Sequence, residues 1–185
     1  MEDILRFTKF NKLKSRYRMN SVENRKESSA EHTWSSLMLA DYFLSKINKK
    51  VDRLKVYELL MFHDVVEIES GDFPLDPNNH VANKKNIELK AAKVLKEKLP
   101  EFQGDKFFSL FLEFEENETN ESKFANAIDK FDAIIQEIDY KIDWKGWSRQ
   151  FLLDKKEKYF LEFPETKQQF YKVLDYFESE GYFNQ

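Results

Sequence analysis

The sequence predicts an all-α protein, a compact multi-helix fold in one domain over residues 1–185. Three observations carry this. Turn formers are scarce, with four glycines and four prolines in the chain. Charged residues reach 35% and mix with many Lys, Glu, Leu and Phe, a composition that favours helices over a turn-rich β architecture. Apolar residues recur every three or four positions through most segments. A hydrophobic share of 41% at this length suffices for a real core, and strands should be few or absent.

The elements follow in order. Residues 2–14 place Ile4, Phe7, Phe10 and Leu13 at helical spacing, so a helix packed on the core is expected there. From Ser15 to Ser29 the period fades into a polar loop carrying Arg16, Arg18 and Arg25. Ser28 or Ser29 caps the next helix, with Glu31 in its first turn and a stripe of Leu37, Ala40, Leu44 and Ile47. Asp52 starts a third helix whose apolar positions Val56, Leu59, Leu60 and Phe62 lead to His63. Gly71 and Pro74 break that run. Residues 75–81 form a turn-rich loop with a solvated His80.

A helix over 83–99 shows Ile87, Ala91, Val94 and Leu95 on one face and a Lys85–Glu88 pair, and Pro100 ends it. Phe107–Phe114 reads as a short aromatic helix, and residues 117–122 as a connection. Residues 122–142 form a strong helix, with Phe124, Ile128, Phe131, Ile135 and Ile138 on its core stripe. The chain turns at Gly146, and the aromatic helices of the extension 143–185 are expected to cover the core or form a subunit contact.

A net charge of −4 gives no general basic field for a nucleic acid polymer, although Lys9 to Arg18 is a local cationic segment suited to a small phosphorylated ligand. With no cysteine, any metal here is held by imidazole and carboxylate. No run approaches the roughly 20 apolar residues of a membrane span, and the N-terminus has no apolar signal region, so a cytoplasmic protein is expected.

The chemistry concentrates in LLMFHDVVEIESGDFP, residues 59–74, which holds His63, Asp64, Glu67 and Asp72. Adjacent residues on a helix point about 100° apart, so His63 and Asp64 converge on one ion only where the backbone is close to it. Glu67 follows His63 by four positions, and the turn after Gly71 can swing Asp72 over the same pocket. A His-Asp dipeptide alone is weak evidence. Its weight comes from two further residues, His32 in AEHTW and Asp129 in AIDKFDAIIQ, where a charge interrupts an apolar helix. Asp132 lies three positions on, as a direct ligand, a supporting carboxylate or a surface one.

Together these residues resemble the H…HD…D pattern of the HD-domain metal-dependent phosphohydrolases, met by His32, His63, Asp64 and Asp129. The similarity extends to the 5'-deoxynucleotidase branch. ESSAEHTW resembles its E-x-x-x-E-H segment, HDVVEIESGDFP its H-D-x-x-E-x-x-x-G-D-x-P, and AIDKFDAIIQ its D-K-x-[DE]-x-x-x-Q. Lys85, Glu88 and Ala91 fit its K-x-x-E-x-x-A, and the motifs span about residues 12–142. The resemblance implies an all-α HD-domain fold and release of phosphate from nucleoside 5'-monophosphates, by a homodimer. It implies that His32, His63, Asp64 and Asp129 bind one divalent metal, that Glu67 orients or deprotonates the attacking water, and that Asp72 contacts the sugar 3'-hydroxyl. Two imidazoles and two carboxylates suit Mn, Co, Fe, Ni or Zn, and Mg less well. They leave room for a water and a phosphate oxygen, and Glu67 is then free as a general base.

That branch carries an Arg-Trp or Gly-Trp pair before its first histidine, and KSRYRMNSV has no tryptophan. Either Arg16 or Arg18 is therefore the candidate phosphate ligand, and the deoxyribose preference that the resemblance implies is expected to relax, so that the pocket accepts ribonucleotides or another small phosphomonoester. Two other readings stand beside this one. One is a nucleotide-sensing HD module without turnover. The other is a nucleoside triphosphate or pyrophosphate hydrolase, which needs more basic residues along a longer phosphate chain.

Overall fold

The computed structural model describes residues 1–77 and 82–183, so the expectation for His80 falls outside the described residues. The core forms where α2 (Ser29–Leu44), α3 (Arg53–Phe62) and α7 (Asn120–Ile135) pack together. Ala40, Phe43, Val56, Leu59, Leu60, Phe124, Ile128 and Phe131 fill their interface. Around it run α1 (Glu2–Phe7), α4 (Glu67–Ser70), α5 (Lys84–Lys98), α6 (Glu101–Glu116), α8 (Arg149–Lys156) and α9 (Pro164–Ser179).

Local signals explain the helix starts. Ser28 accepts from the Glu31 N–H while the Glu31 side chain accepts from the Ser28 N–H, a reciprocal capping box. Asp52 caps α3 by accepting from the Leu54 and Lys55 amides. Thr119 and Ser148 do the same for α7 and α8.

Four expectations need correction. The helix expected over residues 2–14 gives way at Thr8 to a 3-10 helix ending at Ser15, and only its second half packs, with Ile4 64% and Phe7 50% exposed. The expected loop contains an antiparallel hairpin, β1 (Tyr17–Val22) with β2 (Arg25–Ser28), which pairs Val22 with Arg25 and Tyr17 with Ser28 around a bulge. Glu23, at φ 50°, makes its turn without a glycine. On α5 the buried side chains are Glu88, Ala92 and Leu95, whereas Ile87 and Val94 are exposed, and Glu88 pairs with Lys84 instead of Lys85. The helix expected over 122–142 stops at Ile135, and 3-10 turns at Gln136–Asp139 and Lys141–Trp144 lead to α8.

The aromatic segment expected at Phe107–Phe114 is the second half of the longer α6. The extension covers the core, with Phe160, Phe163, Phe170, Leu174 and Phe177 all fully buried. Phe160 stacks on Phe170 at 4.4 Å between centroids, and Phe177 on Tyr182 at 4.5 Å.

Candidate metal centre

The core stripe of α3 runs to Phe62, and a 3-10 turn over His63–Val66 then tightens the backbone. This change of pitch lets the adjacent His63 and Asp64 both face α2 and α7. His32 stands in the first turn of α2, and Asp129 in the middle of α7. His32, His63 and Asp129 are at most 5% exposed.

Ligand atoms of His32, His63 and Asp129 converge, and Asp64 borders them with one oxygen toward each imidazole. His32 Nε2 is 3.0 Å from Asp129 Oδ1 and 3.9 Å from Asp64 Oδ2. His63 Nε2 is 3.2 Å from Asp64 Oδ1 and 3.9 Å from Asp129 Oδ1. Ligand atoms about 2.1 Å from a common ion lie about 3–4 Å apart, the spacing found here. The other ring nitrogens fix the orientation of each ring. His63 Nδ1 donates to the Leu60 carbonyl at 2.7 Å, and His32 Nδ1 to Asp132 at 2.8 Å. Both Nε2 atoms therefore face the common point, and His63 Nε2 is buried there without a hydrogen-bond partner. That orphaned nitrogen beside two carboxylates is a donor set that fits a divalent cation.

Cations of the chain neutralise this acidic centre. Arg18 Nη1 donates to Asp64 at 2.9 Å, and Lys130 Nζ to Asp129 at 2.5 Å. Burial opposes ionisation of both aspartates, yet His63 and Arg18 hold Asp64 well below the usual carboxylate range, and Lys130 and His32 do the same for Asp129. Burial and Arg18 pull His32 down, but its bonds to Asp129 and Asp132 win and raise it to about 9.

A cavity of about 1210 Å³ opens beside the cluster, lined among others by Arg18, Asp64, Glu67, Asp72, Asp129 and Lys130. Glu67, 6% exposed, accepts from the Ser29 hydroxyl, and burial beside Asp64 pushes its carboxyl up to about 9. Gly71, at φ 75°, ends α4 and turns the chain so that Asp72 also lines the cavity. Burial raises Asp72 too. Of the two candidate arginines, Arg18 lines the cavity, whereas Arg16 donates to the Ile68 carbonyl at 2.5 Å and is tied to the scaffold.

Three participants carried no signal of their own in the sequence. Ser29 was visible only as a capping residue, and its contact with Glu67 spans 38 positions. Lys130 was part of a motif without a role. Lys156 sits in a KKEK run that reads as solvated surface, yet it is buried.

The HD domain family model matches residues 10–178, and the chain belongs to that family. Within it, the chain is 25% identical over 122 residues to the 5'-deoxynucleotidase HDDC2 of Dictyostelium discoideum, covering 62% of this chain and 63% of that one. It is 28% identical over 100 residues to the 5'-deoxynucleotidase hdd1 of Schizosaccharomyces pombe, covering 52% and 50%. The matched region thus spans half to about three fifths of these relatives' length. Among solved structures, a predicted metal-dependent phosphohydrolase from Magnetospirillum magnetotacticum MS-1 superposes with TM-score 0.84 at 24% identity, covering 98% of this chain and 93% of that one. A conserved hypothetical protein from Pyrococcus furiosus superposes with TM-score 0.66 at 27% identity, covering 93% and 98%. No described helix is long and apolar enough to cross a membrane.

Proposed function

We propose that this chain is a divalent-metal-dependent phosphomonoesterase that releases phosphate from ribo- and deoxyribonucleoside 5'-monophosphates. The observation that carries the reading is the buried, unpartnered His63 Nε2 facing His32, Asp64 and Asp129 at the edge of a cavity that also holds Arg18, Glu67 and Asp72. The 5'-deoxynucleotidase names of the relatives support the nucleotide as substrate.

His32, His63, Asp64 and Asp129 are the proposed ligands. A divalent ion held by them would supply positive charge, the chemistry that lowers a water's pKa and stabilises a phosphoryl transition state, and Glu67 beside it would be favoured in its ionised form. Glu67, oriented by the Ser29 hydroxyl, takes the proton of the attacking water. The water oxygen bonds to phosphorus as the ester P–O bond breaks, and the proton taken by Glu67 is passed on to the leaving 5'-oxygen, so that the nucleoside leaves as an alcohol. Arg18 anchors Nη1 on Asp64, with Nε 3.4 Å from Glu27, and lines the cavity, where its guanidinium is placed to hold the non-bridging phosphate oxygens. Asp72 is placed to accept from a sugar hydroxyl. No tryptophan follows Arg18, whose neighbour Met19 lines the cavity, while Trp144 and Trp147 stand elsewhere on its wall, and the proposed substrates include both ribose and deoxyribose nucleotides.

The test is phosphate release from matched ribo- and deoxyribonucleoside 5'-monophosphates by chelated protein reloaded with Mn²⁺ or Co²⁺. Metal-dependent release, lost in Asp64→Ala and reduced ~10²–10⁴-fold in kcat by Glu67→Gln, is expected. Nucleotide binding without turnover across the panel would replace this reading with that of a sensor.

A further inference from the structure

The cavity's cations are unequally partnered along the chain. Segments from α4 to α6 line it with Asp72, Glu88 and Glu115 and with Lys84, which pairs with Glu88, and Lys85, while α7, α8 and the turn after α8 bring Lys130, which pairs with Asp129, and Lys155, Lys156 and Lys158. Lys156 is the anomaly among these. It is 7% exposed, its hydrogen bond goes to the Lys130 carbonyl at 3.3 Å, and among the described residues no carboxylate lies within ion-pair distance of it. Burial pulls its pKa down to about 7, and the charge of Lys130 pushes the same way.

A buried ammonium without a counter-charge is unfavourable, and hydrophobic residues of similar length would fill the same space at lower cost. Here the group also borders a cavity large enough for a nucleotide. Aromatic faces hold its neighbours on the same wall. Lys158 and Lys130 lie 4.9 and 5.7 Å from the Tyr159 ring centroid, and Lys155 lies 5.9 Å from that of Phe151. The phosphate of a monoester already has Arg18 and the ligand cluster. Lys155 and Lys158 are cations beyond what one phosphoryl group needs, and Lys156 is a buried amine that an arriving anion would charge.

We propose that this lysine wall is a second phosphoryl subsite, so that the cavity takes nucleoside di- and triphosphates with the added phosphoryl groups against Lys156. The proposal rests on the cavity being a nucleotide site, and it goes beyond the monophosphate reading.

The experiment measures calorimetric affinities of the full chain, in EDTA, for adenosine 5'-mono-, di- and triphosphate. Wild type is expected to bind the diphosphate about tenfold more tightly than the monophosphate, roughly the worth of one charge-assisted hydrogen bond. Lys156→Met erases that difference and leaves the monophosphate affinity within about twofold. Equal affinities for mono- and diphosphate in wild type overturn the proposal. So does a Lys156→Met variant that weakens both nucleotides alike, which would assign Lys156 to the phosphate at the cluster. If Lys156→Met does not fold, the exposed pair Lys155→Glu with Lys158→Glu decides, since an unchanged diphosphate affinity there also overturns the subsite. Neither metal nor turnover enters this measurement, so loss of the phosphatase reading and loss of the subsite show up separately.

Discussion

His32 and Phe170 are both fully buried, one among charges and the other among rings. Around His32, the carboxylates of Asp64, Asp129 and Asp132 lie within 3.9 Å, and Arg18 and Lys130 pair with the first two. Around Phe170, Phe160 stacks at 4.4 Å and Tyr171 tilts at 5.8 Å, with Phe163 and Leu174 buried in the same layer. The ring layer gains stability from every apolar surface it removes from water. The charged centre gains little net stability from pairing, because desolvation offsets attraction, and it holds its residues in position for something to be bound. Each region should therefore respond to a different perturbation.

The aromatic layer should give the largest stability effect. Phe170→Ala removes a ring from a fully packed site and should cost ~3–5 kcal/mol in urea unfolding. The charged centre should instead respond to metal. At an ion concentration 100 times Kd, wild type should gain about 2.7 kcal/mol over the chelated form. That increment should survive Phe170→Ala and vanish in Asp64→Ala. A metal increment lost in both variants would break the division between the two regions.

The regions also differ in how readable they were from sequence. The cluster was legible through residue identity, because the chain has only three histidines and His32, His63, Asp64 and Asp129 stand at particular places on otherwise apolar helices. The aromatic layer was legible only as composition and period, which foresaw burial without naming partners. Tertiary context decided what was missed. The hairpin has no apolar alternation to read, since Tyr17 and Met19 are exposed and the strands carry mostly polar residues. The face of α5 turned because Glu88, not Ile87, borders the cavity. Lys156 could not be read at all, because burial of a lysine in a charged run is settled by helices 26 positions away.

A smaller effect tests whether the shell around both regions is as tightly packed as the ring layer. Gly104, buried on α6, lies where a Cβ would run into the Lys96 carbonyl at the end of α5. That contact is with backbone, which cannot swing aside. Gly104→Ala should cost ~1–3 kcal/mol of stability by urea unfolding and leave the metal increment unchanged. No loss would mean that α5 and α6 slide freely, and the comparison would then have to exclude them from the rigid shell.

The smallest effect sharpens the contrast from a buried polar group outside the centre. Glu137 accepts the Ser21 N–H at 2.8 Å, tying the hairpin to the end of α7. Burial, with Asp143 alongside, pushes its carboxyl up to about 8, against an ordinary value of about 4.3 in the unfolded chain. The folded protein thus keeps a proton that the unfolded chain gives up as pH rises through that window, and stability falls from about pH 4.3 towards pH 8. Glu137→Gln keeps an acceptor for Ser21 and has no proton to lose. The wild-type minus variant difference should change by about 1 kcal/mol between pH 5 and 8, or ~2–4 °C in Tm. Parallel pH profiles would show that Glu137 ionises freely in the folded state. The hairpin would then be anchored by a solvated carboxylate and not by a second buried polar site of the kind seen at the centre.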